Sequence, residues 1–409
     1  MPGSQGTNRL SRCSRLRRCF LASLDGLRVD HVGSLSRPRQ LLDTQRSVEQ
    51  GTASLDDLRA AEDQTIREVI ASQEGIGFPV VNDGEFRRSN FQDSFGASVR
   101  GYEASGSAAT YASVRRPGME SSGRVESGLS VAGPPVLTRR AATERLKITR
   151  NLPLEEYRFV ADVATVPAKV TIIGPDRVAQ RFDWQRSTSV YDGLDDFEAH
   201  VAALQHQMVG ELVEAGCSYV QLDAPGYTAY VDGPSLDAMR SRGEDPGRNL
   251  ARSIEADNAV IAGFDDVTFG IHLCRGNERK LDPESGKIIP QWHRVGPYDE
   301  IAERLFTGLD HKRFLLEYDS GRAGNFAPLR FVPKDKIVVL GLVTTKSTDV
   351  ESVDDLLARI DEASRYIPAE HLALSPQCGF ASGGGMTIPE DVQWRKLEVI
   401  LETAQRVWG

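Results

Sequence analysis

The sequence predicts an α/β protein built as a (β/α)8 barrel, a TIM barrel, with a long insertion after the second strand. Three observations support this fold. Short apolar segments rich in β-branched residues recur eight times, amphipathic segments lie between them, and polar residues gather where the apolar segments end. Regular alternation of strand and helix is typical of parallel strands with helical crossovers. A doubly wound open sheet is the alternative fold that this alternation allows.

The predicted strands are short enough to cross a buried sheet and are bounded by Gly, Pro, Asp or Ser. They cover residues 27–34, 78–85, 168–175, 217–225, 267–274, 313–319, 337–345 and 372–379. The clearest predicted helices have apolar residues at helical spacing, with Asp or Ser near their starts and Gly after some of their ends. They cover residues 55–77, 195–216, 353–367 and 390–408.

Two parts of the chain depart from this alternation. Residues 93–165, rich in Gly, Ser and Ala, predict an insertion after the second strand, with an extra hairpin in TYASVRRPG…GLSVAGPPVLT. Residues 1–26 include NRLSRCSRLRRCFLASL, which is rich in Arg and Ser. They predict a disordered extension or a start codon placed too far upstream. A signal peptide is disfavoured because the apolar part is short and no convincing cleavage site follows. The predicted domain is therefore one barrel over residues 27–409.

Composition excludes several classes of protein. The 409 residues carry a formal net charge of −9, which argues against nucleic acid as a main partner. No apolar run approaches the roughly 18–20 residues of a membrane span, so no membrane partner is predicted. Five widely spaced cysteines in a long chain disfavour a disulfide framework and favour the cytoplasm. The oligomeric state is not indicated by the sequence.

Catalytic residues of a (β/α)8 barrel lie at the carboxyl ends of its strands. Seven of the eight predicted strands end here in polar or metal-binding side chains. In chain order these are Asp30, His31, Gly33 and Ser34; Asp83, Gly84 and Glu85; Asp223; His272 and Cys274; Glu317 and Asp319; Thr344, Thr345 and Lys346; and Cys378.

The stretch VTFGIHLCRGN places His272 and Cys274 two residues apart near a strand end. Residues i and i+2 of a strand point to the same face, so both side chains can reach one ion. Zinc prefers such nitrogen and sulfur ligands in a tetrahedron. Cys378 and Glu317 are the best candidates for the two further ligands. The alternative is that the cysteines are small buried hydrophobic residues, as Cys217 is expected to be.

The set HLC…LEYD…PQCG resembles the zinc motif of the cobalamin-independent methionine synthase family. In that motif the zinc ligands are a His-x-Cys pair, a Glu and a later Cys, which correspond here to His272, Cys274, Glu317 and Cys378. VDHVGSL, NDGEFRRSNFQDSFG and VQLDAP resemble other motifs of the family in the same order. The resemblance runs from about Leu27 onward and corresponds to the catalytic C-terminal barrel, as in the short single-barrel bacterial members.

The resemblance implies a methyltransferase of methionine biosynthesis that uses Zn²⁺. The acceptor would be homocysteine or a similar small thiol, and the donor methyl-folate (5-methyltetrahydrofolate) or another methyl donor. Such a metal is chemically reasonable, because a free thiol has a pKa near 8.5 and is mostly protonated at neutral pH. Coordination by zinc deprotonates the thiol and keeps a reactive sulfur.

The resemblance also implies roles for residues that bind the amino acid. Glu85 and Asp223 match the acidic residues that hold its ammonium group, and the backbone around Gly33 and Ser34 matches the part that holds its carboxylate. His31 is a further substrate-binding candidate. The alternatives are helix caps or loop acids for Glu85 and Asp223, and capping or turn roles for His31 and Ser34.

The sequence departs from the family at the predicted proton donor. Lys346 stands where the family has a His that protonates the leaving folate. A Lys, with an ordinary pKa near 10.4, is a poorer acid at neutral pH than a His. This difference leaves open alkyl transfer from a corrinoid or an epoxide, or to another thiol. A separate alternative is a zinc-stabilised barrel that binds without turnover.

Overall fold

The computed structural model describes residues 24, 26–88, 90–103, 125–126, 129–130, 139–277, 279–290, 294–381 and 388–409. Its strands are β1 (Val99–Tyr102), β2 (Val125–Glu126), β3 (Leu129–Ser130), β4 (Ala142–Ile148), β5 (Lys169–Ile173), β6 (Tyr219–Asp223), β7 (Thr268–Leu273), β8 (Arg279–Leu281), β9 (Ile288–Pro290), β10 (Arg313–Glu317), β11 (Ile337–Val343) and β12 (Leu372–Pro376).

The α-helices pack outside the main sheet or beside the inserted segment. They are α1 (Arg39–Glu49), α2 (Leu55–Gly75), α3 (Asp93–Gly96), α4 (Leu152–Val163), α5 (Pro175–Gln180), α6 (Leu194–Glu214), α7 (Gly233–Ser241), α8 (Pro246–Ile261), α9 (Ala302–Gly308), α10 (Val353–Ser364) and α11 (Glu390–Trp408). No helix in the described ranges is both long and apolar enough to cross a membrane.

The central sheet is parallel, with strand order β5-β6-β7-β10-β11-β12. Isolated parallel bridges continue both edges: Val81 pairs with Ala168 beside β5, and Val29 pairs with Leu374 of β12. All eight predicted strand segments therefore take their places in a TIM-barrel-like α/β fold, as predicted. The first and second segments meet through the backbone hydrogen bond from Leu35 N to Gly84 O rather than through a described strand pairing.

Alternation of side chains divides the sheet into two apolar faces. Leu316, Leu340 and Leu374 belong to the large cluster that packs against the helices. Their neighbours Leu315, Val339 and Ala373 belong to a separate small cluster with Val32. Because successive side chains of a strand point to opposite faces, this second cluster lies on the inner face. His272 is aligned with Leu315 and therefore shares this inner face.

The four predicted helices are confirmed as α2, α6, α10 and α11, with ends that differ by at most a few residues. Local capping explains where two of them begin. Ser54 accepts a hydrogen bond from Asp57 N, and the Asp57 side chain accepts one from Ser54 N, which forms a capping box. Ser352 caps α10 by accepting from Asp355 N.

The region predicted as an insertion contains a short antiparallel pair. β1 and β4 join residues 99–102 to residues 142–148. After β4, helix α4 packs against β5 and α6. Most of the predicted extra hairpin lies outside the described residues, where only the antiparallel pair β2–β3 is described. The predicted extension over residues 1–26 also lies outside them, apart from Leu24 and Gly26.

A buried network of charges lies on the inner face of the sheet. Lys169 Nζ contacts Asp30 Oδ1 at 2.7 Å, and neither side chain is exposed. The second oxygen of Asp30 accepts a hydrogen bond from Tyr219 Oη at 2.6 Å and faces Arg313 at 3.5 Å. Lys169 also donates to Gln221 Oε1 at 3.0 Å. These contacts join the first, third, fourth and sixth strand segments through compensated charges.

We predict that Lys169→Met lowers the free energy of unfolding by about 3 kcal/mol, because it removes the ammonium partner of the buried Asp30 carboxylate. Lys312→Met is the matched control. The Lys312–Asp335 pair has a similar separation of 3.1 Å, but its side chains are 59% and 60% exposed. Its loss should cost less than about 1 kcal/mol. Equal losses in urea unfolding of the two variants would show that the buried pair does not stabilise the sheet.

Candidate metal and substrate site

Three side chains with metal-binding atoms meet at the carboxyl ends of two strands. Ligand atoms of His272, Cys274 and Cys378 all lie within 4.8 Å of one another, and all three residues are buried. His272 lies in β7, Cys274 follows that strand by one residue, and Cys378 follows β12 by two. Three of the four predicted ligands are thus close enough to bind one ion.

The hydrogen bonds of His272 fit a metal ligand. Its Nδ1 lies 3.3 Å from Leu315 O. A carbonyl can only accept, so this contact assigns the ring proton to Nδ1 and leaves a lone pair on Nε2. Among the described residues, Nε2 has no hydrogen-bond partner although it is buried. A buried acceptor of this kind is costly unless it is paired, and a metal ion would satisfy it.

The two thiols of the cluster also interact. Cys378 Sγ donates to Cys274 Sγ across 3.9 Å. This hydrogen bond is the main effect that holds the pKa of Cys274 well below its ordinary value, although burial opposes the shift. Cys217 is different, because burial raises the pKa of its thiol to about 12. The cluster therefore favours a thiolate, the form of Cys that binds metals, and Cys217 is the buried hydrophobic residue expected from the sequence.

The loop that carries Cys378 is fixed by neighbouring segments. Asn277 Nδ2 donates to Gly379 O at 2.7 Å, and Phe380 N donates to Ser34 O at the same distance. A Cβ on Gly379 would lie 2.2 Å from Ser34 Oγ, so only glycine permits this close approach. These contacts bring Ser34 of the first strand segment beside Cys378.

Glu317, the fourth predicted ligand, ends β10 but does not join the cluster of metal-binding atoms. Its Oε1 forms an ion pair with the Arg322 guanidinium, and its Oε2 accepts a hydrogen bond from Arg275 N at 2.6 Å. Burial raises the pKa of Glu317, but Lys346 and Arg322 outweigh that effect and lower it overall. No motif in the sequence indicated Arg322, which lies in the short 3-10 helix Gly321–Ala323 after the strand.

Lys346 lies beside Glu317 rather than in open space. Its Nζ contacts Asp319 Oδ2 at 2.7 Å and Glu317 Oε1 at 3.4 Å, and its side chain is fully buried. The structure therefore joins Lys346 to the carboxylate of one predicted ligand. The Lys346 side chain is therefore paired with two carboxylates.

Glu85 is held in an unusual backbone conformation. Its φ of 59° lies in the left-handed region, where it is the only residue other than glycine among the described residues. Glu85 Oε1 accepts a hydrogen bond from Thr171 Oγ1 at 2.8 Å and lies 3.6 Å from Arg88. A Cβ on Gly33 would lie 2.7 Å from the same oxygen, so Gly33 leaves room for this carboxylate. Strain of this kind often accompanies functional sites.

Arg88 makes structural contacts beside Glu85. It is 1% exposed and binds Glu156 through Nε and Nη2, the latter at 2.6 Å. It also donates to Thr171 O at 2.8 Å. Arg88 thus connects Glu85 to β5. Glu85 and Arg88 are three residues apart in NDGEFRRSNF, which is the only signal that the sequence offered for this pair.

Asp223 ends β6 and is aligned with His272 of β7. Its Oδ1 accepts a hydrogen bond from Gln221 Nε2 at 2.7 Å. Burial raises the pKa of this carboxyl to about 7, an effect that His272 opposes and Glu85 reinforces. The charges of His272 and Glu85 therefore both act on the Asp223 carboxylate. Asp223 therefore lies between the predicted metal ligands and the second predicted ammonium-binding carboxylate.

His31 makes contacts that indicate a structural role. Its Nε2 lies 3.1 Å from Val80 O, its Nδ1 lies 3.4 Å from Asn82 Nδ2, and its ring stacks on Phe78 at 5.5 Å. Burial lowers its pKa to about 4. Ser34 differs, because within the described part of the chain its buried Oγ has no hydrogen-bond partner. Of these two substrate-binding candidates, Ser34 is the one with an available polar group.

Comparison with known proteins identifies relatives that match most of the chain. The family model described as the catalytic domain of cobalamin-independent synthase matches residues 29–279 and 316–395. The uncharacterized protein YxjH of Bacillus subtilis is 32% identical over 385 residues, which cover 93% of this chain and 94% of that protein. A methionine synthase of Pyrococcus abyssi is 25% identical over 350 residues, which cover 85% of this chain and 84% of that protein.

Solved structures show the same fold. A putative vitamin-B12 independent methionine synthase from Listeria monocytogenes superimposes with a TM-score of 0.67 at 24% identity, covering 93% of this chain and 97% of that one. A B12-independent methionine synthase from Shewanella sp. W3-18-1, in complex with selenomethionine, gives a TM-score of 0.65 at 16% identity, with the same coverage of both chains. The match of the family model over most of the chain shows that this protein belongs to the cobalamin-independent methionine synthase family and is a methyltransferase.

Proposed function

We propose that this protein transfers a methyl group from 5-methyltetrahydrofolate to the thiol of homocysteine, in a zinc-dependent reaction that forms methionine. The observation that carries the proposal is the buried cluster of His272, Cys274 and Cys378, whose ligand atoms lie within 4.8 Å of one another. The available Nε2 lone pair of His272 supports the same reading. Family membership supports methyl transfer as the reaction.

His272, Cys274 and Cys378 are the residues that would hold the zinc ion, with Glu317 as the proposed further ligand. Zinc bound there would lower the pKa of a substrate thiol and keep the sulfur nucleophilic at neutral pH. The three donors of the cluster alone would leave the open position that is typical of catalytic zinc sites. With Glu317 as a fourth ligand, the substrate thiol would have to replace one ligand or expand the coordination. For Glu317 to bind the ion, its Oε1 would exchange the contact with Arg322 for the metal.

The carboxylates of Glu85 and Asp223 are proposed to bind the ammonium group of homocysteine. Both are buried, and each is oriented by a donor from the sheet, Thr171 and Gln221 respectively. The backbone of Gly33 and the Ser34 hydroxyl, which lies beside the Cys378 loop, are proposed to bind the substrate carboxylate. His31 fits this role poorly, because both of its ring nitrogens face protein groups.

Lys346 is proposed to supply the proton that the folate nitrogen needs as it leaves. Its buried Nζ contacts Asp319 and Glu317, which places this nitrogen beside one of the predicted metal ligands. Methyl-folate leaves poorly unless its N5 is protonated, which makes a positioned acid valuable. A reaction that uses a corrinoid or an epoxide instead would not need this proton at a folate nitrogen.

We expect zinc-loaded protein to form methionine from homocysteine and 5-methyltetrahydrofolate, and removal of the metal by a chelator to abolish the reaction. Cys274→Ser should lower zinc affinity by more than about tenfold, because changes in residues that only support a ligand already cost that much. Metal analysis and a methionine assay would measure both effects.

Cys217→Ser is the matched control, because Cys217 is equally buried but lies outside the cluster. It should keep zinc binding and turnover. Full activity of the demetallated protein would contradict the zinc-dependent reaction. Activity with methylcobalamin or an epoxide in place of methyl-folate would keep the zinc site and replace the donor. Zinc binding without turnover of any donor would indicate the alternative of a zinc-stabilised barrel that binds but does not catalyse.

Lys346→Met should lower kcat with 5-methyltetrahydrofolate by about 100-fold, because it removes a general acid. Zinc content and the KM for homocysteine should change by less than about twofold. Lys396→Met is the control, since Lys396 is a buried lysine that pairs with Glu351 and contacts none of the proposed site residues. An unchanged kcat in Lys346→Met, measured under saturating substrates, would remove Lys346 from the reaction.

A further inference from the structure

Gln221 connects the buried charges of the sheet to Asp223. It lies in β6, two residues before Asp223 and on the same inner face, and it is 0% exposed. Its Oε1 lies 3.0 Å from Lys169 Nζ. Its Nε2 lies 2.7 Å from both Val32 O and Asp223 Oδ1. Every polar position of this side chain therefore has a partner.

The partners of Gln221 determine which way its amide points. The Lys169 ammonium can only donate, so the amide atom that faces it must be the oxygen. The two hydrogens of Nε2 then point to Val32 O and Asp223 Oδ1, both of which can accept. The opposite orientation would place the amide NH2 group against an ammonium group and the amide oxygen against a carbonyl and a carboxylate. One buried cation thus fixes the direction of the amide.

Lys169 is itself held in place from two sides. Its Nζ contacts Asp30 Oδ1 at 2.7 Å and donates to the carbonyl of His31. These partners belong to the first strand segment, whereas Gln221 belongs to β6. The position of the ammonium group is therefore set by the packing of the strands against one another, and it does not depend on a flexible surface side chain.

The hydrogen bond from Gln221 occupies one oxygen of Asp223 and leaves the other. Among the described residues, Asp223 Oδ2 makes no hydrogen bond with the protein. Fixing Oδ1 restricts rotation of the carboxylate about its last bond, and so restricts where Oδ2 can lie. An oriented carboxylate binds an ammonium group more tightly than a rotating one, because less conformational freedom is lost on binding.

We propose that Gln221, oriented by Lys169, is a positioning residue that holds the Asp223 carboxylate ready for the ammonium group of the amino-acid acceptor. This inference rests on the proposed function, because it assigns a role to Gln221 in the binding of homocysteine. It adds selectivity to that function: Gln221 acts on recognition of the ammonium group and leaves the chemistry at the thiol unchanged.

The test compares Gln221→Met with the wild type for two thiols on zinc-loaded full-length protein. One is homocysteine, and the other is 4-mercaptobutyrate, which has the same thiol and carboxylate but lacks the amino group. Calorimetry should show homocysteine binding weakened by about tenfold in Gln221→Met, the effect of losing one hydrogen bond to a charged group. Binding of 4-mercaptobutyrate and kcat with homocysteine should each change by less than about twofold.

Gln205→Met is the matched control, because Gln205 is also a buried glutamine that donates to a backbone carbonyl, that of Ile173. It should bind both thiols as the wild type does. If Gln221→Met weakens both thiols equally, or neither, Gln221 has only a structural role and the inference is overturned. If the wild type itself does not prefer homocysteine to 4-mercaptobutyrate, recognition of the ammonium group, and the proposed acceptor with it, is wrong.

Discussion

The side-by-side register of the parallel strands is the constraint on which the site depends. Asp223 is aligned with His272, and His272 is aligned with Leu315, so neighbouring strands end at the same edge. Cys274 follows β7 and Cys378 follows β12, which brings two thiols from distant parts of the chain to within 3.9 Å. A shift of one residue in β7 would turn His272 toward the helices and remove it from the cluster.

Buried charge is the second requirement of this arrangement. Several carboxylates are buried in and around the site, and each of the following has a nearby cation. Lys169 contacts Asp30, Arg88 binds Glu156 and faces Glu85, and Arg322 binds Glu317. Without these partners the carboxylates would take up protons or destabilise the sheet. The same cations fix the positions of the side chains that are proposed to bind substrate.

Much of the fold and part of the site could be predicted because they depend on local patterns. Periodicity located the six strands of the central sheet and the two segments that bridge to its edges. The single residue between His272 and Cys274 predicted that both lie on one face, and the structure brings them together. The partners of Glu317 and Lys346 could not be predicted, because the path of the chain after the strand brings Arg322 and Asp319 to them.

The contact between Lys169 and Gln221 joins β5 to β6, and no spacing in the sequence predicts such a contact. The position of Gln221 on the same face as Asp223 could have been predicted, because it precedes Asp223 by two residues on a strand.

The most direct test of this interpretation is X-ray absorption at the zinc edge, recorded on the zinc-loaded protein with and without homocysteine. His272, Cys274 and Cys378 should give a shell with sulfur near 2.3 Å and nitrogen near 2.0–2.1 Å. Homocysteine should raise the number of sulfur ligands from two to three. An unchanged sulfur shell in the presence of bound homocysteine would show that the acceptor thiol does not meet the metal, and would contradict the proposed chemistry.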